Sequence, residues 1–268
     1  MRQASRTVLR FLSFILIAYA VVVAGMFFAQ RRLIFPAPGH VANLPAGFER
    51  VSLTTSDGLA LAAAYRPAGP GKPTLVFFHG NGDSWDGAAQ ATSAFADASV
   101  GVLLPEYRGY GGNPGSPSEP GLYADGRAAI AWLQSRKVGR EQLVIVGNSI
   151  GSGVAVQMAS ETRPAALLLI SPFTAMSDLA AEQLSWLPGR WLVLDRFENL
   201  AKINKISAPI LIMHGKADGL IPYSHALRLA QANRTAELIL VDDAGHELAY
   251  SKSAQTSALD WLLRQKFR

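Results

Sequence analysis

Leu143-Val144-Ile145-Val146-Gly147-Asn148-Ser149-Ile150-Gly151-Ser152-Gly153 is the stretch that decides how this chain folds. Four consecutive apolar residues, Leu143 to Val146, read as a short strand buried on both faces. Val154, Ala155, Val156, Met158 and Ala159 follow as an apolar run suited to a packed helix. Between the two lies a G-x-S-x-G pattern, Gly147-Asn148-Ser149-Ile150-Gly151. A strand that turns sharply into a helix at a serine strains the serine backbone and leaves no room for a side chain two residues to either side. The same turn lifts Ser149 Oγ clear of the sheet and over the helix N-terminus, where the dipole favours developing negative charge. The pentapeptide alone recurs by chance in many chains. Its seat between a strand-like and a helix-like run is what gives it weight.

The 268 residues allow one large α/β domain or two small ones, with a sizeable core. Apolar residues make up 49% and charged residues only 17%, which argues against disorder and is compatible with a membrane. The net charge is +5, yet the basic residues concentrate at the two ends and form no run interleaved with aromatics. They read as juxtamembrane and solvating charges, and no nucleic-acid partner is expected. There is no cysteine, which removes disulfides, Cys-ligated metals and a thiol nucleophile.

Val8 to Ala29 is almost wholly apolar, with Arg10 its one charge. About twenty such residues cross a bilayer as a helix. Ala18-Tyr19-Ala20 resembles a signal-peptidase site, but the apolar run continues well past it to Ala29, so an uncleaved signal anchor over residues 1–32 is the favoured reading. Arg2, Arg6 and Arg10 with the α-amine slightly outweigh Arg31 and Arg32, which places the N-terminus inside and the main domain, residues 33–268, outside the cytoplasm.

Leu33 to Pro38 reads as an exit segment whose prolines end the helix. Alternation about Ser56-Asp57-Gly58, between Phe48 and Tyr65, predicts a hairpin. Strand–loop–helix alternation then predicts a mostly parallel, doubly wound sheet with flanking helices. The predicted strands are Thr74–Phe78, Val100–Leu104, Leu143–Val146, Ala166–Ile170, Pro209–His214 and Glu237–Val241. Helices are expected near Asp86–Ala98, Leu122–Arg136, Ser152–Ser160, Tyr223–Ala232 and Ser251–Leu263.

A serine nucleophile needs a base, and the base an orienting acid. His246, on a Gly-containing loop after the last predicted strand, and Asp218, just after Pro209–His214, both fall at the carboxyl end of the sheet, where open α/β folds bind ligands. The order Ser149, Asp218, His246 is the order this strand–turn–helix serine site uses. His214 reads as a packed or locally bonded side chain, His225 as part of a helix start, His40 as part of the exit segment and His79 as a loop brace. Asp242 and Asp243 rival Asp218 as the acid but read as solvated. An oxyanion hole needs two backbone N–H groups. Ile150 supplies one, and Asn81, in His79-Gly80-Asn81-Gly82 after an early strand, supplies the second, with Gly82 as fallback. The Gly-rich turns fit neither the phosphate-loop nor the dinucleotide spacing, so no cofactor or metal is expected.

With these residues in hand the chain resembles the α/β-hydrolase superfamily, in particular the membrane-anchored branch with the Bem46-like proteins and the α/β-hydrolase-domain proteins of types thirteen and seventeen. The likeness is carried by His79-Gly80-Asn81-Gly82, Glu106-Tyr107-Arg108-Gly109-Tyr110-Gly111, Pro117-Ser118-Glu119-Pro120-Gly121-Leu122 with Asp125, Gly147-Asn148-Ser149-Ile150-Gly151, and His214-Gly215-Lys216-Ala217-Asp218 with Gly245-His246. It implies hydrolysis of acyl esters, thioesters or amides, with a small or lipid-like acyl substrate left unspecified. Glu247 stands where the branch often has Asn. The Cys-rich N-terminus of type-seventeen relatives is missing.

Arg108 suits either a substrate anion or a structural pairing with Glu119 or Asp125; the pairing is favoured. The long apolar connection from Phe173 to Pro209 reads either as a small cap over Ser149, about residues 173–207, or as core. Two rivals to an esterase remain: a peptidase, for which no motif reads a free N-terminus, and a silent membrane-tethered interaction module, which the intact triad argues against.

Overall fold

Alternate residues of the central strands belong to two separate cores. Val76 and Phe78 join one apolar cluster while Leu75 and Phe77 join the other, and Ile145 and Val146 divide in the same way. Side chains alternate across a strand, so a strand buried on both faces must be apolar throughout.

The computed structural model describes residues 2–38, 41–265 and 267. The chain runs α1 (Arg2–Ile34), β1 (Glu49–Thr54), β2 (Ala60–Arg66), β3 (Thr74–Phe78), α2 (Trp85–Ala91), α3 (Ser93–Asp97), β4 (Gly101–Pro105), α4 (Glu119–Ser135), β5 (Leu143–Asn148), α5 (Gly151–Thr162) and β6 (Ala166–Ile170). It continues through α6 (Met176–Gln183), α7 (Gly189–Leu192), α8 (Asn199–Ile203), β7 (Ile210–Gly215), α9 (Ser224–Ala232), β8 (Ala236–Val241), a 3-10 turn (His246–Tyr250) and α10 (Lys252–Leu263). The sheet order is β1-β2-β4-β3-β5-β6-β7-β8. The predicted hairpin, β1 and β2, is antiparallel and pairs antiparallel with β4, and every other pairing is parallel.

Strands β3 and β6 have the expected bounds, and β5 extends two residues further, so that its last residue abuts Ser149. One expectation is corrected. The helix predicted over Asp86–Ala98 is two, because Thr92 leaves the helical region and bonds back to the Ala88 carbonyl through its Oγ1 at 2.8 Å. Helix α4 starts three residues earlier than predicted. Ser118 caps it by accepting from the Gly121 N–H, and Pro120 falls in the first turn, where its missing donor costs nothing.

Helix α1 contains a stretch, Arg6–Ile34, long and apolar enough to cross a membrane. Its C-terminal half does not stand apart from the rest of the chain. Gln30 bonds the Leu192 carbonyl and the Leu194 N–H, and Arg31 pairs with the buried Asp195 at 2.9 Å.

Candidate active site

Ser149 has φ of +52°, the left-handed region that costs a non-glycine residue about 1–3 kcal/mol. The surroundings hold it there. Its N–H donates to the Ile170 carbonyl on β6 at 2.9 Å, and its carbonyl accepts from the Ser152 N–H. The flanking glycines are obligatory, as expected. A Cβ on Gly151 would overlap the Phe78 carbonyl, and one on Gly147 would come within 2.6 Å of the Gly151 carbonyl oxygen. The serine thus sits between the end of β5 and the start of α5.

Three sequence-predicted residues meet here. His246 Nε2 is 3.0 Å from Ser149 Oγ, and His246 Nδ1 is 2.8 Å from Asp218 Oδ2. With its Nδ1–H donating to the carboxylate, the ring presents Nε2 as an acceptor to the serine hydroxyl. Asp218 lies in the loop after β7, and its Oδ1 accepts from the Leu220 and Ile221 N–H groups at 2.9 and 2.8 Å. Burial pushes the Asp218 carboxyl up, but hydrogen bonds from His214, His246 and the Ile221 N–H outweigh it and hold it well below the usual carboxylate range.

His214 is the residue whose part the sequence reading missed. It bonds locally, as expected, through Nε2 to the Ile221 carbonyl at 2.8 Å, but the same nitrogen lies 3.2 Å from Asp218 Oδ2. The i,i+4 spacing across a strand end was the available signal, and only the fold of the intervening turn closes that distance. Asp242 and Asp243 are exposed, and Asp242 pairs with Lys216. His225 is in the first turn of α9, buried between Thr174 and Glu182. His40 lies outside the described residues. His79 is buried, with Nδ1 2.9 Å from the Gly80 carbonyl oxygen.

Asn81 and Ile150 line the same cavity as Ser149. The β3 loop reaches the serine because Gly80 has no side chain: a Cβ there would lie 3.2 Å from Asn148 Nδ2 and 3.6 Å from the Ser149 Cβ. Tyr110 Oη donates to Asn81 Oδ1 at 3.2 Å, and Tyr107 Oη donates to the His79 carbonyl at 3.0 Å. These two tyrosines brace the loop from below.

Arg108 is engaged structurally. Its Nε bonds Asp125 at 2.8 Å and its two terminal nitrogens bond Asp57 at 2.8 and 3.1 Å. Asp125 was one of the two expected partners; Glu119 was the other and is committed elsewhere, to Tyr123 Oη and the Arg196 N–H. Asp57 comes from the β1–β2 turn and was not foreseen.

The cavity over Ser149 is about 300 Å³. Its walls come from the β6–β7 connection, including Met176, Leu179, Leu184 and Leu187, and from α1. Almost all are apolar, so the arrangement offers a polarised hydroxyl at the floor of an oily space.

Comparison with known proteins places the chain in a class. Residues 75–202 match the alpha/beta hydrolase family, and residues 190–267 match a family described as TAP-like protein. The chain belongs to the alpha/beta hydrolase family and is a hydrolase of that type. It is 34% identical over 196 residues to the human alpha/beta hydrolase domain-containing protein 17B, covering 72% of this chain and 67% of that one. It is 38% identical to an uncharacterized protein of Mycobacterium tuberculosis, MT2364, over 84% of this chain and 83% of the relative. Among solved structures, the Pyrococcus furiosus esterase Pf2001 superposes with a TM-score of 0.70 at 20% identity, covering 86% of this chain and 97% of that one.

Proposed function

We propose that the chain is a membrane-anchored serine hydrolase that cleaves acyl esters or thioesters through a Ser149–His246–Asp218 triad. The observation that carries this reading is the continuous hydrogen-bond line from Asp218 through His246 to Ser149, ending at the floor of an apolar cavity.

In the first step Ser149 Oγ attacks the acyl carbon while His246 Nε2 takes its proton. Asp218 keeps the ring in the tautomer that can accept that proton and stabilises the imidazolium. The N–H groups of Asn81 and Ile150 receive the oxyanion, helped by the N-terminus of α5. His246 then protonates the leaving alcohol or thiol. Water, activated by the same His246, hydrolyses the acyl-enzyme. Ordinary carboxylate burial would leave the acid of such a triad protonated at low pH; the bonds around Asp218 keep it charged.

Residues 1–32 serve as the signal anchor with basic flanks, residues 33–268 as the catalytic domain, and about 173–207 as a cap. The slight arginine excess before the span puts the catalytic domain outside the cytoplasm. An esterase is favoured over an amidase or peptidase because the cavity walls carry almost no groups to hold a peptide backbone.

The test is labelling of full-length protein with a fluorophosphonate probe, in wild type and Ser149→Ala. The expected result is strong labelling that the substitution abolishes. Equal labelling of both, or none of folded wild type, would sink the reading.

A further inference from the structure

We propose that α1 is a wall of the acyl pocket as well as an anchor, and that the substrate is a single-chain fatty-acyl ester whose chain reaches Ser149 from within the bilayer. The proposal rests on the serine-hydrolase reading and deepens it.

Four observations point this way. First, Val23, Met26, Phe27, Gln30, Leu33 and Ile34 of α1 line the cavity that holds Ser149. Second, that cavity adjoins a shallow groove running up α1 past Tyr19 and Leu16, and the two share Val23, Phe27 and Leu192. Apart from the Tyr19 hydroxyl, the groove is lined entirely by apolar side chains. Third, Tyr19 Oη donates to the Trp186 carbonyl at 3.0 Å, while Gln30 and Arg31 bond the segment from Leu192 to Asp195. The helix and the β6–β7 connection are therefore held side by side along the length of the groove.

The fourth observation is one of depth. The residues from Phe11 to Gln30 carry no charge and are bounded by Arg10 and Arg31. Tyr19 precedes Arg31 by twelve residues, or about 18 Å of helix. A hydrocarbon core is about 30 Å thick, so a helix that enters it below Arg31 turns the face that carries Tyr19, and with it Trp186, toward the membrane. The exposed apolar side chains of the connection suit that setting. Trp186 is 55% exposed, Trp191 82% and Leu194 53%. Leu194 and Leu192, the neighbour of Trp191, bond Gln30, close to Arg31 and so at the level of the membrane surface, where tryptophans are preferred.

An acyl chain lying beside α1 in the bilayer then has a dry path to Ser149, while its ester group meets the oxyanion donors. Hydrolysis breaks the acyl carbon–oxygen bond, and water supplies the hydroxyl of the acid and the proton of the alcohol. The chain need never cross water, where each methylene would be exposed at a cost.

The experiment uses the full-length protein in phosphatidylcholine vesicles, with p-nitrophenyl palmitate and p-nitrophenyl butyrate as substrates. Val23→Trp fills the junction of cavity and groove, and Phe27→Ala widens it. Pocket fit to an alkyl chain is worth about 10- to 200-fold. The palmitate-to-butyrate ratio of kcat/KM should therefore fall at least about tenfold in Val23→Trp and should rise in Phe27→Ala. A ratio unmoved in both variants, with Ser149 still labelled by fluorophosphonate, overturns the role of α1 and leaves the hydrolase reading standing. Absence of labelling in folded wild type overturns both. If Val23→Trp does not fold, the direction of change in Phe27→Ala decides.

Discussion

At the scale of the residue, Asp218 is the most heavily engaged side chain of the site. Its carboxylate faces the rings of His246 and His214 and the N–H groups of Leu220 and Ile221. Asp218→Asn should lower kcat roughly a thousand- to ten-thousand-fold with little change in KM, because the amide favours the wrong His246 tautomer. Steady-state rates on a short p-nitrophenyl ester check this. A second consequence concerns stability. The native carboxyl is held below the unfolded value of about 3.9, so its contribution is present above that pH and is lost as the pH falls through the native value. The stability of wild type relative to Asp218→Asn should therefore hold above about pH 5 and decline progressively as the pH is lowered below it, as read from urea midpoints.

The critical element is the β5–Ser149–α5 turn. Three backbones converge on it: the end of β3, the end of β5 and the first turn of α5. Gly151→Ala would drive a methyl group into the Phe78 carbonyl, which belongs to a central strand and cannot retreat without breaking the β3–β5 pairing. We expect a loss of about 3 kcal/mol, measurable by urea denaturation, with activity falling alongside. Gly153→Ala meets the ring and Cβ of Phe197, which is fully buried against Phe35, Tyr123 and Phe173, and should cost a comparable amount.

For the whole molecule, the decisive tie is between α1 and the β6–β7 connection. Asp195 is buried and accepts from Arg31 and from the Glu119 N–H. Arg31 is half exposed, so the ion pair itself contributes at most about 1 kcal/mol. Leaving the Glu119 N–H without a partner costs about 1–3 kcal/mol more. Asp195→Ala should thus destabilise the full chain by about 2 kcal/mol. It should also loosen chain-length selectivity, which the p-nitrophenyl ester series reads directly.

The two-sided burial of β3 and β5, the strained serine between glycines, the hairpin and the chain order of the three predicted catalytic residues were all determined by the sequence alone. Each depends on local periodicity or on a short motif with a steric cause, and such causes act within a few residues. The split of the predicted Asp86–Ala98 helix at Thr92 was less legible, since a hydroxyl that bonds backwards is compatible with either outcome. Long-range partnerships without a motif at each end were not legible. The Asp57–Arg108 pairing spans 51 positions, and the Arg31–Asp195 pairing spans 164. No periodicity connects such residues, and each has several acids or bases of equal chemistry to choose from. The same holds for α1. Its apolar length marked it as able to cross a bilayer, but length says nothing about which face another segment covers. Only the tertiary structure, by packing Val23, Phe27 and Gln30 against the β6–β7 connection, decided that this helix borders the cavity of Ser149.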